Sequence, residues 1–96
     1  MKLLESKVAI ITGGSRGIGK SICETFAFNG CNVAFTYNNS KESAESLSKE
    51  LNELGIKAKA YKSDASNFDD ATKLVEGVLN DFGKIDILVN LSLIHI

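Results

Sequence analysis

Apolar residues along this chain alternate between two spacings: short consecutive runs, and longer stretches in which they recur every three or four positions. The run Val8-Ala9-Ile10-Ile11 makes Lys7 to Thr12 a strand of the kind buried on both faces in a parallel sheet. From Gly17 to Asn29, Ile18, Ile22 and Phe26 recur every four residues with Cys23 and Ala27 beside them, predicting a helix that lays this stripe on the sheet and ends at Gly30. Asn32 to Tyr37 reads as the second strand. Asn38-Asn39-Ser40 is a loop in which Ser40 can cap a second helix, striped by Ala44, Leu47, Leu51 and Leu54 and stopped by Gly55. Ile56 to Ser63 alternates Ile56, Ala58 and Ala60 with Lys57, Lys59 and Lys62, as suits an edge strand guarded by lysines.

Ser66 or Asn67 can cap the third helix, with Asp69 and Asp70 complementing its dipole. Its stripe is Ala71, Leu74, Val75, Val78, Leu79 and Phe82, and Gly83 is its stop. Ile85 to Asn90 is the fourth strand. The order β-α-β-α-β-α-β, with short connections, implies right-handed crossovers and a parallel sheet. The expected class is α/β, a doubly wound parallel sheet. No second domain, repeat or low-complexity tract is visible.

Composition narrows the function classes. The chain has 96 residues, 44% hydrophobic and 24% charged, with a net charge of −1, as in an ordinary globular domain. Lys and Arg are scattered and slightly outnumbered by Asp and Glu, which gives no footprint for nucleic acid. No apolar run approaches the ~20 residues that span a bilayer, and Met1-Lys2-Leu3-Leu4-Glu5 leads straight into the first strand without room for a signal peptide. The expected compartment is the cytoplasm. Cys23 and Cys31 lack a close metal-ligand or redox spacing and read as small apolar residues in reducing surroundings; no metal site is expected.

Candidate chemistry concentrates in Thr12-Gly13-Gly14-Ser15-Arg16-Gly17-Ile18-Gly19, between the first strand and the first helix. A helix N-terminus at such a turn offers unpaired N–H groups and the positive end of the macrodipole to a phosphate. Glycines permit the sharp turn, close approach of a pyrophosphate, and tight helix-to-strand packing. The same stretch contains the literal P-loop pattern from Gly14 to Gly19-Lys20-Ser21, so spacing alone leaves a mononucleotide site open.

These residues resemble the Thr-Gly-x-x-x-Gly-Ile-Gly motif of the short-chain dehydrogenase/reductase family. Asp64 stands where that family has an adenine-binding Asp, and Asp86-Ile87-Leu88-Val89-Asn90 matches the start of its Asp-Ile-Leu-Val-Asn-Asn-Ala-Gly segment. Lys7 to Thr12 and Phe82 to Asn90 are most similar to the bacterial members that reduce 3-oxoacyl groups on acyl carrier protein in fatty-acid synthesis. The resemblance implies a Rossmann-type sheet of order 3-2-1-4 and a nicotinamide cofactor. For the whole protein it implies an acyl carrier protein-linked substrate and a homotetramer. Helices one and two would cover one face and helix three the other, leaving apolar side chains of strands one and four and an open edge exposed in a marginal, aggregation-prone chain.

Charge selects the form of the cofactor. A carboxylate ending strand two would accept from an NAD ribose and repel the NADP 2′-phosphate. Tyr37-Asn38-Asn39-Ser40 has none, whereas Arg16 can pair with that phosphate, so NADP(H) is expected. The expected cofactor-binding residues are Gly13, Gly14, Ser15, Arg16, Gly17, Ile18, Gly19, Asn38, Asp64, Ala65 and Asn90. Asp64 is equally a residue type that closes turns, and Asn90 one that bonds backbone at a strand end. After Asn90 the family pattern asks for Asn-Ala-Gly, and the chain gives Leu91-Ser92-Leu93-Ile94-His95-Ile96. Residues 1–90 therefore read as the N-terminal part of a dinucleotide-binding domain and 91–96 as an unmatched tail, the product of a truncated reading frame. The family's hydride-transfer Ser, Tyr, Lys and Asn lie beyond the match, and His95 has no carboxylate placed near it, so no residue is assigned as catalytic and the chain alone is expected to be inactive.

Overall fold

A computed structural model describes residues 3–13, 17–64 and 67–91 of the chain. The alternation of spacings becomes β1 (Val8–Thr12), α1 (Gly17–Phe28), β2 (Asn32–Tyr37), α2 (Lys41–Asn52), β3 (Ala58–Lys62), α3 (Phe68–Phe82) and β4 (Ile87–Asn90). All strand pairs are parallel and the sheet order is β3-β2-β1-β4, the expected Rossmann-type arrangement.

The two faces of the sheet build two cores. Ile11, Val33, Phe35 and Ala58 pack with Cys23 and Ala27 of α1 and Ala44, Leu47 and Leu51 of α2. On the other face Val8, Ile10 and Ala34 pack with Leu74 and Val78 of α3. Contrary to expectation, β1 exposes nothing apolar: Val8, Ala9, Ile10 and Ile11 are all buried, because helices cover both faces of this central strand. Exposure falls instead on β4, where Leu88 is 65% exposed.

The helix stripes are narrower than their periodicity suggests. Gly19, Cys23 and Ala27 form the buried line of α1, while Ile18 is exposed and Ile22 and Phe26 are half-buried beside an open groove of about 550 Å³. The small residues bring the helix axis close to the sheet and push the larger ones to its flank. On α3 only Leu74 and Val78 are buried. Val75 and Leu79 lie on a flank with no neighbouring helix among the described elements. Leu54 falls past the end of α2 and is partly exposed.

Both ends of α3 follow the sequence, and the start of α2 does not. The Asn67 side chain accepts the N–H groups of Asp69 and Asp70 at 2.9 and 3.3 Å, and Gly83 closes α3 in the left-handed conformation with φ 85°. Ser40 occupies the N-cap position of α2 but its side chain makes no capping bond, its backbone at φ −99° and ψ 68° lying outside the extended region that aims the hydroxyl at the first turn.

Side chains finish the sheet where strands do not. The Asn52 amide mimics a further strand on the β3 edge: its Oδ1 accepts Ala58 N–H at 2.9 Å and its Nδ2 donates to Ala58 C=O at 3.0 Å. On the α3 side of β3, Lys59 Nζ and the Tyr61 hydroxyl converge on Asp81 Oδ2 at 2.7 and 2.6 Å. The bonds from Lys59, then from Tyr61, hold the Asp81 carboxyl below the usual carboxylate range, while burial and the carboxylate push the Tyr61 phenol upwards. At the start of β4, Asp86 Oδ2 accepts Val8 N–H at 2.8 Å and the Asp86 N–H donates to Val8 C=O at 2.8 Å, fixing the register of β4 on β1.

Candidate functional site

Parallel strands bring all four carboxyl ends to one edge, although they lie far apart in sequence. Thr12 is in register with Asn90, and Tyr37 with Lys62. The winding reverses between β1 and β4, since β2 and β3 lie on one side of β1 and β4 on the other. In open α/β sheets the ligand crevice lies outside the carboxyl ends at such a switch point.

The glycine turn leaves β1 at this point. Gly13 has φ 73° and Gly17 φ 52°, both in the left-handed region, and an added Cβ at either would meet no atom within 4 Å. Backbone conformation therefore demands glycine there, not crowding. Gly19 is buried on the sheet-facing line of α1, the close helix-to-strand contact expected of one motif glycine. The first turn of α1 carries no acidic residue, which leaves the positive end of its dipole uncompensated by side chains. Lys20 and Ser21, which complete the literal P-loop pattern, are exposed and already inside α1, after a helix that begins at Gly17.

Two hydroxyls tie the turn to its neighbours. Thr12 Oγ1 donates to Asn90 Oδ1 at 2.9 Å and accepts the Leu91 N–H at 3.0 Å. The Gly13 N–H donates to Thr36 Oγ1 at 2.8 Å. Sequence reading did not single out Thr36, although a lone hydroxyl inside the apolar run of β2 was the available signal.

The structure brings Gly13, Gly17, Asn38, Asp64 and Asn90 to this edge, with Ile18 and Gly19 in the first turn of α1. Asn38 is exposed just after β2, and the neighbouring Tyr37, Asn39 and Ser40 carry no charge. Asp64 is exposed beyond β3; its N–H donates to Asp70 Oδ2 at 2.9 Å and its carbonyl accepts the Asn67 N–H at 3.0 Å, so its backbone sits in a closed turn. The Asn90 side chain accepts from a side chain of β1, the Thr12 hydroxyl. Gly14, Ser15, Arg16, Ala65, Ser66 and His95 lie outside the described residues.

Cys23 and Cys31 are buried on the core side and not joined in a disulfide, with burial raising their pKa to about 12 and about 11. Among the described residues no group of three His, Cys, Asp or Glu gathers as a metal site. No helix among them is long and apolar enough to cross a membrane.

This geometry agrees with relationships visible across the whole chain. A family model of the short chain dehydrogenases matches residues 7–92. The 3-oxoacyl-[acyl-carrier-protein] reductase FabG of Staphylococcus epidermidis is 38% identical over 85 residues, covering 88% of this chain and 35% of that protein. An NADP-dependent mannitol dehydrogenase of Alternaria alternata is 42% identical over 89 residues, covering 90% of this chain and 34% of that protein. The crystal structure of a short chain dehydrogenase from Burkholderia cenocepacia in complex with NADP superposes with a TM-score of 0.91 at 40% identity, covering 95% of this chain and 37% of that one. The chain thus spans about a third of the length of the relatives it matches. With the strand order, the reversal between β1 and β4 and the glycine turn placed at it, these matches show that the chain belongs to the short-chain dehydrogenase family.

Proposed function

We propose that this chain holds NADP(H) for a short-chain oxidoreductase. The observation that carries the reading is the meeting, at the β1/β4 switch point, of a left-handed glycine turn and a helix N-terminus free of acidic side chains. The described residues fit a dinucleotide: Gly13 and Gly17 leave open space where a Cβ would stand, and the loop after β2 offers Asn38 and Asn39 with no carboxylate to repel a 2′-phosphate. The Burkholderia relative holds NADP on the same fold at 40% identity.

In this assignment the backbone from Gly13 to Gly19, with Gly14, Ser15 and Ile18, cradles the pyrophosphate. Arg16 and Asn38 take the 2′-phosphate, Asp64 and Ala65 flank the adenine, and Asn90 borders the adenosine half. Bound cofactor supplies a hydride; the role of these residues is to bind and orient it. For the whole protein we assign reduction of a 3-oxoacyl thioester on acyl carrier protein by a cytoplasmic homotetramer, supported by 38% identity to the staphylococcal reductase. A different short-chain reductase is the second reading, favoured by the 42% identity to a mannitol dehydrogenase.

The test is fluorescence titration of the 96-residue chain with NADPH and NADH. Tighter binding of NADPH is expected, with the preference lost in Arg16→Ala. Equal or absent binding of both overturns the assignment. The chain alone is expected to show no 3-oxoacyl-dependent oxidation of NADPH, and measurable turnover would refute that part.

A further inference from the structure

Glycine permits the conformation of the turn but does not choose it. The choice falls to whatever bonds the turn from its sides, and two strands flank it. On the β4 side Thr12 is held by Asn90 and Leu91. On the β2 side the bond runs from Gly13 N–H to Thr36 Oγ1 at 2.8 Å.

Thr36 is 5% exposed and is the only buried polar side chain among the described residues. It shares its face of the sheet with Ala34, in the core under α3. A buried hydroxyl is unfavourable there unless bonded, and valine would fill the same volume without that penalty. The hydroxyl therefore has a specific employment, the N–H of Gly13. That N–H belongs to the residue with φ 73° at which the chain departs β1, so its direction sets the path of the backbone towards α1.

We propose, resting on the cofactor reading above, that Thr36 is a positioning residue for the pyrophosphate cradle. By accepting the Gly13 N–H it fixes the plane of the first peptide of the turn. The Gly13 peptide then needs no ordering when a phosphate binds beside it. Thr36 acts through Gly13, and its requirement is for an acceptor atom at that place.

The experiment compares wild type, Thr36→Val and Thr36→Ser in the 96-residue chain by three measurements: NADPH affinity by fluorescence titration, amide hydrogen exchange at Gly13, and the urea midpoint. Thr36→Val should weaken NADPH binding roughly 5- to 30-fold and speed exchange at Gly13, whereas Thr36→Ser, which keeps the acceptor, should stay within about twofold on both. Should Thr36→Val fail to fold, Thr36→Cys, with a sulfur that accepts weakly, replaces it in the comparison with serine. Undiminished affinity in the variant lacking the acceptor overturns the proposal, as does a serine variant as weak as valine, which would assign the effect to packing of the methyl group. A wild-type chain that binds no NADPH overturns the cofactor reading itself and takes this proposal with it. Binding by wild type with no difference among variants removes the proposal alone.

Discussion

The Asn52 amide offers the sharpest test of how the β3 edge is held. Ala58 is buried, and its N–H has the Asn52 Oδ1 as partner at 2.9 Å. Its carbonyl has two donors, Asn52 Nδ2 at 3.0 Å and Ser48 Oγ at 3.2 Å. Asn52→Ala therefore strands the N–H while the carbonyl keeps one bond. A buried donor left without a partner costs about 1–3 kcal/mol, and the part-exposed edge places this one near the lower end. Alanine returns about 0.6 kcal/mol through its helix propensity at the end of α2. The net loss is about 1 kcal/mol, which lowers Tm by about 4–8 °C in a domain of this size. Urea unfolding followed by circular dichroism measures it, and light scattering should rise, because the freed N–H of Ala58 can pair with another chain. Ser48→Ala alone should change stability by less than about 0.5 kcal/mol, but the double variant should lose more than the sum, since the Ala58 carbonyl then has neither donor. An additive cycle, or an Asn52→Ala variant as stable as wild type, would refute the reasoning.

Other consequences can be measured on the same chain. The Val8 N–H, then Lys84, depress the folded pKa of Asp86, so its stabilising contribution is complete above the ordinary carboxylate value of about 3.9 and is lost as pH falls through the lower folded value. Acid titration should accordingly show Asp86→Asn less stable than wild type at neutral pH, with the gap closing below that value; a constant gap would contradict the linkage. Asn67→Ala removes the bonds to Asp69 and Asp70 and should destabilise by about 1 kcal/mol in urea, while Asn67→Ser or Asn67→Asp should keep most of the wild-type stability. With Cys23 and Cys31 buried and their pKa raised to about 12 and about 11, a disulfide reagent at pH 8 should react slowly with the folded chain and rapidly with both thiols in denaturant. Prompt reaction of either thiol in buffer would place it nearer the surface than the structure does.

What could be read from the sequence was whatever depends on local periodicity and on residues with one structural use. Gly30 and Gly83 end their helices in the left-handed conformation as expected, and Asn67 caps α3. Short connections made the parallel order legible, and with it the gathering of residues 13, 38, 64 and 90 at one edge. The errors have a common physical source. Ile18, Val75 and Leu79 match a helical stripe in spacing, yet burial depends on which side of the stripe meets the sheet, and small residues win that side on α1. Ser40 has the right chemistry for a cap but the wrong backbone angles. Thr36 stands out as a hydroxyl in an apolar run, but its partner Gly13 is set by a distant segment 23 residues away; Asn52 meets Ala58 only six residues on, across the turn after α2, and carries no local signal of that bond.

That dependence on distant segments has a consequence for the cradle itself. Left-handed glycines lower the penalty for the turn but leave the unfolded segment with more freedom to lose. Orientation must come from outside, and at Thr12 and Gly13 it comes from β4 and β2. Thr36 lies 23 residues after Gly13, whereas Asn90 lies 78 after Thr12. The β2 bond can form once the first βαβ unit closes. The β4 bonds wait for two further crossovers and for Asp86 to lock β4 onto β1. Full anchoring of Thr12 and Gly13 therefore requires the sheet through β4, and a segment holding only the glycine motif and α1 would lack both sets of bonds. Ligand binding and the docking of β4 are then linked: whatever binds the oriented turn must also strengthen the β1–β4 pairing by the same free energy.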